Sequence, residues 1–200
     1  MKLLLISFYY PPDLGAGSFR ANALSSSLKE RIGESDSITI LTSKPNRYAD
    51  FIEKSEDKEI IENIKIIRFG LPAHNNGFID QSISFSFFFL KVLNFVRKKR
   101  YDAVIATSSR LFTAFLAKII GSYKNIPIYL DIRDIFYEGF LDLTRNSLIR
   151  FISPVVKQVE RFTFLNATKI NIVSKGFEEY FKINYNNIKI LQNIKKFLLL

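Results

Sequence analysis

Two hundred residues with 48% hydrophobic content suit one large domain with a sizeable core, and a formal net charge of +10 asks for an anionic partner. The lack of cysteine and the single histidine argue against a disulfide framework, thiol chemistry and a zinc site, and suit a reducing cytosol. There is no zinc-finger spacing, RNP-like aromatic motif or helix-turn-helix pattern, so nucleic acid ranks below an anionic membrane surface or substrate.

The chain opens on Lys2-Leu3-Leu4-Leu5-Ile6-Ser7-Phe8, whose apolar run reads as a strand buried on both faces of a parallel sheet. Pro11 and Pro12 stop it, because proline cannot donate to a sheet ladder. Gly15 and Gly17 bracket Ala16 before a periodic segment, Phe19, Ala23, Leu24 and Leu28, which predicts a helix with Ser18 as its N-cap and a glycine stop at Gly33. Strand, glycine turn and helix start together make a docking place for anions, since the helix offers N–H groups and the positive end of its dipole. Arg20, one turn in, can reach a phosphate or carboxylate there. It occupies the position of the third glycine in a G-x-G-x-x-G fingerprint, so that dinucleotide motif is incomplete. An ordinary tight turn accounts equally well for the two glycines alone.

Residues 37–42 read as a second strand, 44–59 as a polar surface excursion, and 60–61 with 64–69 as one or two further strands. His74 sits in a loop composition, Pro72-Ala73-His74-Asn75-Asn76-Gly77, and is expected to be solvated. The uncharged run from Gln81 to Leu90 is too short to span a bilayer, which takes about 20 residues. Residues 81–100 instead predict a long Phe-rich helix ending in Arg97-Lys98-Lys99-Arg100. Such a composition fits a helix lying in a membrane interface, and equally a core helix whose cations complement its C-terminal dipole.

Residues 101–108 form a buried strand with a hydroxyl-rich end, 111–120 a helix stopped by Gly121, and 126–132 a strand ending in Arg133-Asp134. A long helix over 147–166, with Pro154 as an irregularity, precedes a strand at 168–174, a short helix at 175–181 and a last strand at 188–191. Asn166-Ala167-Thr168 matches a glycosylation sequon, a tripeptide common by chance. Strands alternating with helices, without a repeat, predict an α/β fold: a doubly wound, mainly parallel Rossmann-like sheet forming a single domain over 1–200. Right-handed crossovers put the strand C-terminal ends on one edge. That edge is expected to gather Gly15, Gly17, Thr107, Ser108, Ser109, Arg110, Arg133, Asp134 and Ser174 into an anion-binding cleft.

The segment Tyr10-Pro11-Pro12-Asp13-Leu14-Gly15-Ala16-Gly17-Ser18-Phe19-Arg20 closely resembles the N-terminal loop of family-4, GT-B-fold retaining glycosyltransferases of bacterial surface polysaccharide and lipopolysaccharide synthesis. Leu130-Asp131-Ile132-Arg133-Asp134-Ile135-Phe136 resembles a segment of the branch acting on lipid-linked amino-sugar intermediates, and Ile172-Val173-Ser174 the late strand before the interdomain linker. The resemblance implies an acceptor-side domain, with a nucleotide-sugar donor held by a C-terminal domain. It implies that Gly15 and Gly17 approach the donor diphosphate, that Arg133 and Asp134 line the cleft near the reacting sugar, and that no metal is required. Tyr137 departs from the pattern, standing where a proline often follows the aromatic.

Past Ile190-Leu191-Gln192-Asn193 the sequence runs to Leu200 without the nucleotide-binding half. The expectation is therefore a truncated chain, a frameshift product or one subunit of a split enzyme, inactive alone. Arg20, Ser108 and Ser174 complete the expected substrate-binding set, with no cofactor. The acceptor is expected to be lipid-linked or a saccharide, and the protein cytoplasmic, peripheral to the inner face of the membrane. The alternative is a non-catalytic module docking an anionic lipid or a partner subunit. A nucleotide-dependent oxidoreductase or epimerase is rejected, because Thr42-Ser43-Lys44 stands where an acidic residue should close the second strand.

Overall fold

The structure, a computed structural model, describes residues 1–45, 55–72, 78–108, 110–137, 152–165, 167–185 and 190–191. His74, Ser109, Asn166, residues 147–151, residues 188–189 and the tail 192–200 lie outside the described residues. The chain divides into two compact units, Met1–Ile105 and Ala106–Leu200.

The first unit contains β1 (Lys2–Ile6), α1 (Ala16–Lys29), β2 (Ser37–Ser43), β3 (Lys58–Ile61), β4 (Ile64–Phe69), α2 (Phe78–Val96) and the start of β5 (Ala103–Ser108). Its strands are ordered β3-β4-β2-β1-β5, so the chain moves outward from β1 and then doubles back to its other side. β1 pairs with β2 and β2 with β4 in parallel, with Leu4 opposite Thr39 and Ile40 opposite Ile66. β3 is antiparallel to β4, so part of the expected surface excursion is strand. The apolar run Leu3–Ile6 is fully buried, as a strand covered on both faces must be. α1 adds Ala21, Leu24 and Leu28, and α2 adds Phe85, Phe88, Val92 and Val96. Phe88 meets Phe8 edge-on at 5.2 Å and Phe69 at 6.0 Å between ring centroids, seating α2 near the ends of β1 and β4.

The second unit contains the end of β5, α3 (Leu111–Lys124), β6 (Ile128–Ile132), α4 (Ser153–Phe164), β7 (Lys169–Ile172), α5 (Phe177–Asn184) and β8 (Ile190–Leu191). Its strands are ordered β5-β6-β7-β8, with β6–β7 and β7–β8 parallel. The α/β, mainly parallel Rossmann-like architecture expected from the sequence is the one observed.

Several boundaries differ, each for a local reason. α1 starts at Ala16 with Gly15 as N-cap, so Ser18 lies inside the first turn rather than capping it. The helix closes at Lys29, before Gly33, through Leu28 O accepting from Arg31 N and Ile32 N. Gly121 does not stop α3; it is buried within the helix, which runs to Lys124 and ends at Asn125 in the left-handed conformation (φ 53°). Pro154 sits in the first turn of α4, where its missing N–H has no helical acceptor to lose, so it makes no irregularity.

Candidate functional site

Two groups of residues carry the expected chemistry, one in each unit. In the first unit, the loop between β1 and α1 contains a cis Pro11-Pro12 bond and ends at Gly15, whose φ of 139° is a conformation that residues with a side chain rarely adopt. No side chain caps α1, and Phe19 N already donates to Gly15 O. The N–H groups of Ala16, Gly17 and Ser18 are therefore the donors that a helix start leaves without intrahelical acceptors. Gly17 is buried, Gly15 and Arg20 are half-buried, and Arg20 lies one turn into the helix. The Ser18 hydroxyl is 1% exposed and has no hydrogen-bond partner among the described residues.

The loop is held by residues the sequence reading passed over. Arg68, on β4, is buried; its Nη2 donates to Pro11 O at 2.8 Å and its Nη1 pairs with Glu59 Oε2 at 2.8 Å. Tyr10 OH lies 2.8 Å from Ser25 Oγ on α1, and burial raises its pKa above the ordinary tyrosine value. A strand end and a helix thus clamp the entrance to the glycine turn from two sides. A lone arginine between Ile67 and Phe69 in an apolar strand was the available signal for Arg68.

In the second unit, Arg133 N donates to Ser108 O at 3.1 Å, placing Arg133 and Asp134 just past the end of β6. Arg133 is half-buried and Asp134 exposed, and among the described residues neither makes a side-chain ion pair. Beneath them Asp131 is fully buried, accepting from Thr107 Oγ1 at 2.9 Å and Asn171 Nδ2 at 2.6 Å. That network ties β5, β6 and β7 together one step below the loop. Ser108 is engaged locally: its hydroxyl donates to Arg110 O and accepts from Arg110 N at 2.9 Å. Ser174 Oγ accepts from Gly176 N at 3.2 Å at the approach to α5.

The segment after Asp134 is fixed by Glu160, a fully buried carboxylate on α4 that the sequence reading did not single out. Glu160 Oε2 accepts from Tyr137 N at 2.9 Å, and Oε1 accepts from Tyr185 OH at 2.8 Å and from Tyr180 OH. Burial, reinforced by the Glu160 charge, pushes both tyrosines far above the ordinary tyrosine range. Phe136 packs on Phe164 at 6.2 Å, and Phe164 on Phe181 at 5.1 Å, closing an aromatic cluster around the same anchor. Among the described residues no three His, Cys, Asp or Glu side chains are grouped as a metal site, and no helix is long and apolar enough to cross a membrane.

No family model matches the chain, and no curated protein matches it in sequence. Solved structures do match in fold, and they are GT-B glycosyltransferases. A sucrose-phosphate synthase from Thermosynechococcus elongatus superimposes with a TM-score of 0.63 at 13% identity, over 95% of this chain and 47% of that one. A UGT transferase from Siraitia grosvenorii in complex with UDP gives 0.54 at 12% identity, over 94% and 50%. An Arabidopsis thaliana UGT complexed with UDP gives 0.56 at 14% identity, over 94% and 48%. The chain spans about half the length of these three proteins.

Proposed function

We propose that this chain is the acceptor-side domain of a retaining, family-4-type glycosyltransferase of bacterial surface polysaccharide or lipopolysaccharide assembly. It moves a sugar from a nucleotide-sugar to a lipid-linked or saccharide acceptor, is completed by a nucleotide-sugar-binding domain in a longer chain or a separate subunit, and is inactive without it. The observation that carries this reading is the start of α1: a positive-φ glycine, three N–H groups and a buried Ser18 hydroxyl without a partner among the described residues, in a fold shared with glycosyltransferases. The likeness to two proteins complexed with UDP adds support.

In this reading the acceptor oxygen bonds to the sugar's anomeric carbon as the bond from that carbon to the donor diphosphate oxygen breaks, the acceptor's hydroxyl proton passes to the departing diphosphate, and negative charge grows on that diphosphate as it leaves. The N–H groups of Ala16, Gly17 and Ser18 and the dipole of α1 meet that charge with dipoles already oriented, which lowers the barrier without reorganisation. Gly15 and Gly17 leave room for the phosphate against the backbone, and Arg20 adds a cation. Arg133 and Asp134 hold the reacting sugar and the acceptor hydroxyl, on a segment that Glu160 and Asp131 keep rigid. Ser108 and Ser174 contribute backbone and hydroxyl contacts at the neighbouring strand ends. The enzyme works from the cytoplasmic face of the membrane as a peripheral protein, to which the +10 charge contributes.

Reconstitution tests this. Mixed with a separately produced nucleotide-sugar-binding domain from the same locus, the chain should transfer radiolabelled sugar to a polyprenyl-diphosphate acceptor, while either part alone should not. Transfer that survives Arg133→Met together with Asp134→Asn unchanged would overturn the assignment of those residues. A second reading, a non-catalytic module that docks an anionic surface, is favoured by the outer face of α2.

A further inference from the structure

α2 buries one face and leaves the other uncovered. Ile83, Phe87 and Leu90 are 46%, 47% and 64% exposed, although this is the face of a Phe-rich helix whose other side, Phe85, Phe88 and Val92, is core. At about 100° per residue, positions 83, 87, 90 and 94 fall within an arc of roughly 60°, and Arg97 and Lys98 follow in the turn that leaves the helix. Along the chain, three large apolar side chains and Asn94 on this face are followed, just past the helix end, by Arg97, Lys98 and Arg100, all exposed. At 1.5 Å per residue the apolar part is about 10 Å long, and the helix ends about 9 Å beyond Leu90, where the cations begin. Lys91, beside it, is held by Gly70 O at 2.7 Å, and Lys99 lies over the Phe95 ring, so those two ammonium groups are engaged on the domain.

We infer that this face of α2 is a membrane-docking surface: Ile83, Phe87 and Leu90 enter the interfacial layer of a bilayer while Arg97, Lys98 and Arg100 meet anionic lipid headgroups. Charge complementarity selects this occupant. An apolar protein partner accounts for the three large side chains and leaves the contiguous cations unexplained, whereas an anionic bilayer accounts for both in their order along the helix. The helix lies in the interface without spanning it: among the described residues no helix is long and apolar enough to cross a membrane, and the opposite face of α2 is buried in the domain. The inference rests on the peripheral-membrane part of the proposed function and assigns it to one face.

The chain contains no tryptophan, so Phe87→Trp provides a single reporter. With vesicles of phosphatidylcholine containing about one-third phosphatidylglycerol, its emission should shift to the blue and be quenched by bromine-labelled acyl chains. The full-length chain should pellet with these vesicles, and less so as salt rises. Arg97→Gln/Lys98→Gln/Arg100→Gln, and separately Ile83→Ser/Phe87→Ser/Leu90→Ser, should each weaken vesicle binding by at least about tenfold. A control that removes three exposed cations elsewhere, Arg31→Gln/Lys58→Gln/Lys182→Gln, should change binding less than about threefold. Because the substituted side chains are exposed, circular dichroism should be unchanged. If the wild type does not pellet at low salt, both this inference and the peripheral-membrane reading fall. If it pellets but the α2 variants pellet equally, or the control is lost equally, the α2 assignment alone falls. Self-association by light scattering that the apolar variant abolishes, without vesicle binding, identifies a second copy as the occupant and overturns the inference.

Discussion

Glu160 offers the sharpest energetic test, because one carboxylate satisfies three donors in a fully buried site. Glu160→Gln keeps the volume and leaves a carbonyl oxygen that can accept from both tyrosine hydroxyls. Its amide nitrogen then faces Tyr137 N–H, donor against donor, and the bond that fixes the segment after Asp134 is lost. Hydrogen bonds to a charged group contribute about 1.5–3 kcal/mol, and an unsatisfied buried donor costs about 1–3 kcal/mol, so Glu160→Gln should destabilise by about 2 kcal/mol. Glu160→Ala strands all three donors and opens a cavity, for about 4 kcal/mol, a large share of a typical total of 5–15 kcal/mol. Urea denaturation should show these as lower midpoints at unchanged slope. Native-state hydrogen exchange should show Tyr137 N–H losing protection in Glu160→Gln more than the amides of β6 do. A loss under about 0.5 kcal/mol for Glu160→Gln, with Tyr137 protection intact, would refute the claim that this carboxylate anchors the segment.

The same cluster sets a pH dependence. Tyr180 and Tyr185 hold their protons far more tightly when folded, so their contribution is complete below the ordinary tyrosine value of about 10 and declines as pH rises above it. Of the nine tyrosines, these two should be missing from the tyrosinate absorbance of the native protein at pH values where the exposed ones have titrated, and should appear with unfolding. Gly15→Ala forces a side chain into a φ of 139° and should destabilise by about 1–3 kcal/mol, read by thermal denaturation; no change would show that the turn relaxes freely. Arg68→Met leaves Pro11 O and Glu59 without their guanidinium and should cost about 2–4 kcal/mol. Limited proteolysis should then cut sooner within residues 11–15, and cutting at the wild-type rate would count against the clamp.

The parts of the molecule legible in the sequence were those fixed by local pattern. Leu3–Ile6 announces a buried strand because nothing polar interrupts it, the run at 37–42 because its Ile and Thr are β-branched, and Ile128–Ile132 because apolar residues flank its one carboxylate; their alternation with helices leaves few topologies. Helix ends were harder, because the deciding groups were backbone. Gly15 caps α1 by conformation rather than by a side-chain oxygen, which drew attention to Ser18 instead, and Asn125 ends α3 where Gly121 looked the stronger stop. The first half of the antiparallel β3 was hidden by its charges, Lys58 and Glu59, which suit an edge strand as well as a loop, while Ile60-Ile61 was legible as strand. Positioning residues escaped because their meaning lies in long-range pairs. Arg68 reaches Pro11 from 57 positions away, and Glu160 reaches Tyr137 from 23, distances that no local spacing rule sees.

The measurement that bears most directly on the proposed role of the glycine turn is a titration of the isotopically labelled chain with UDP, followed through backbone amide resonances. Saturable shifts are expected at Ala16, Gly17 and Ser18, reproduced by inorganic pyrophosphate, absent with uridine, and reduced at least about tenfold in affinity by Gly15→Ala. Shifts confined to other residues, or none at the start of α1 with either diphosphate, would contradict that role.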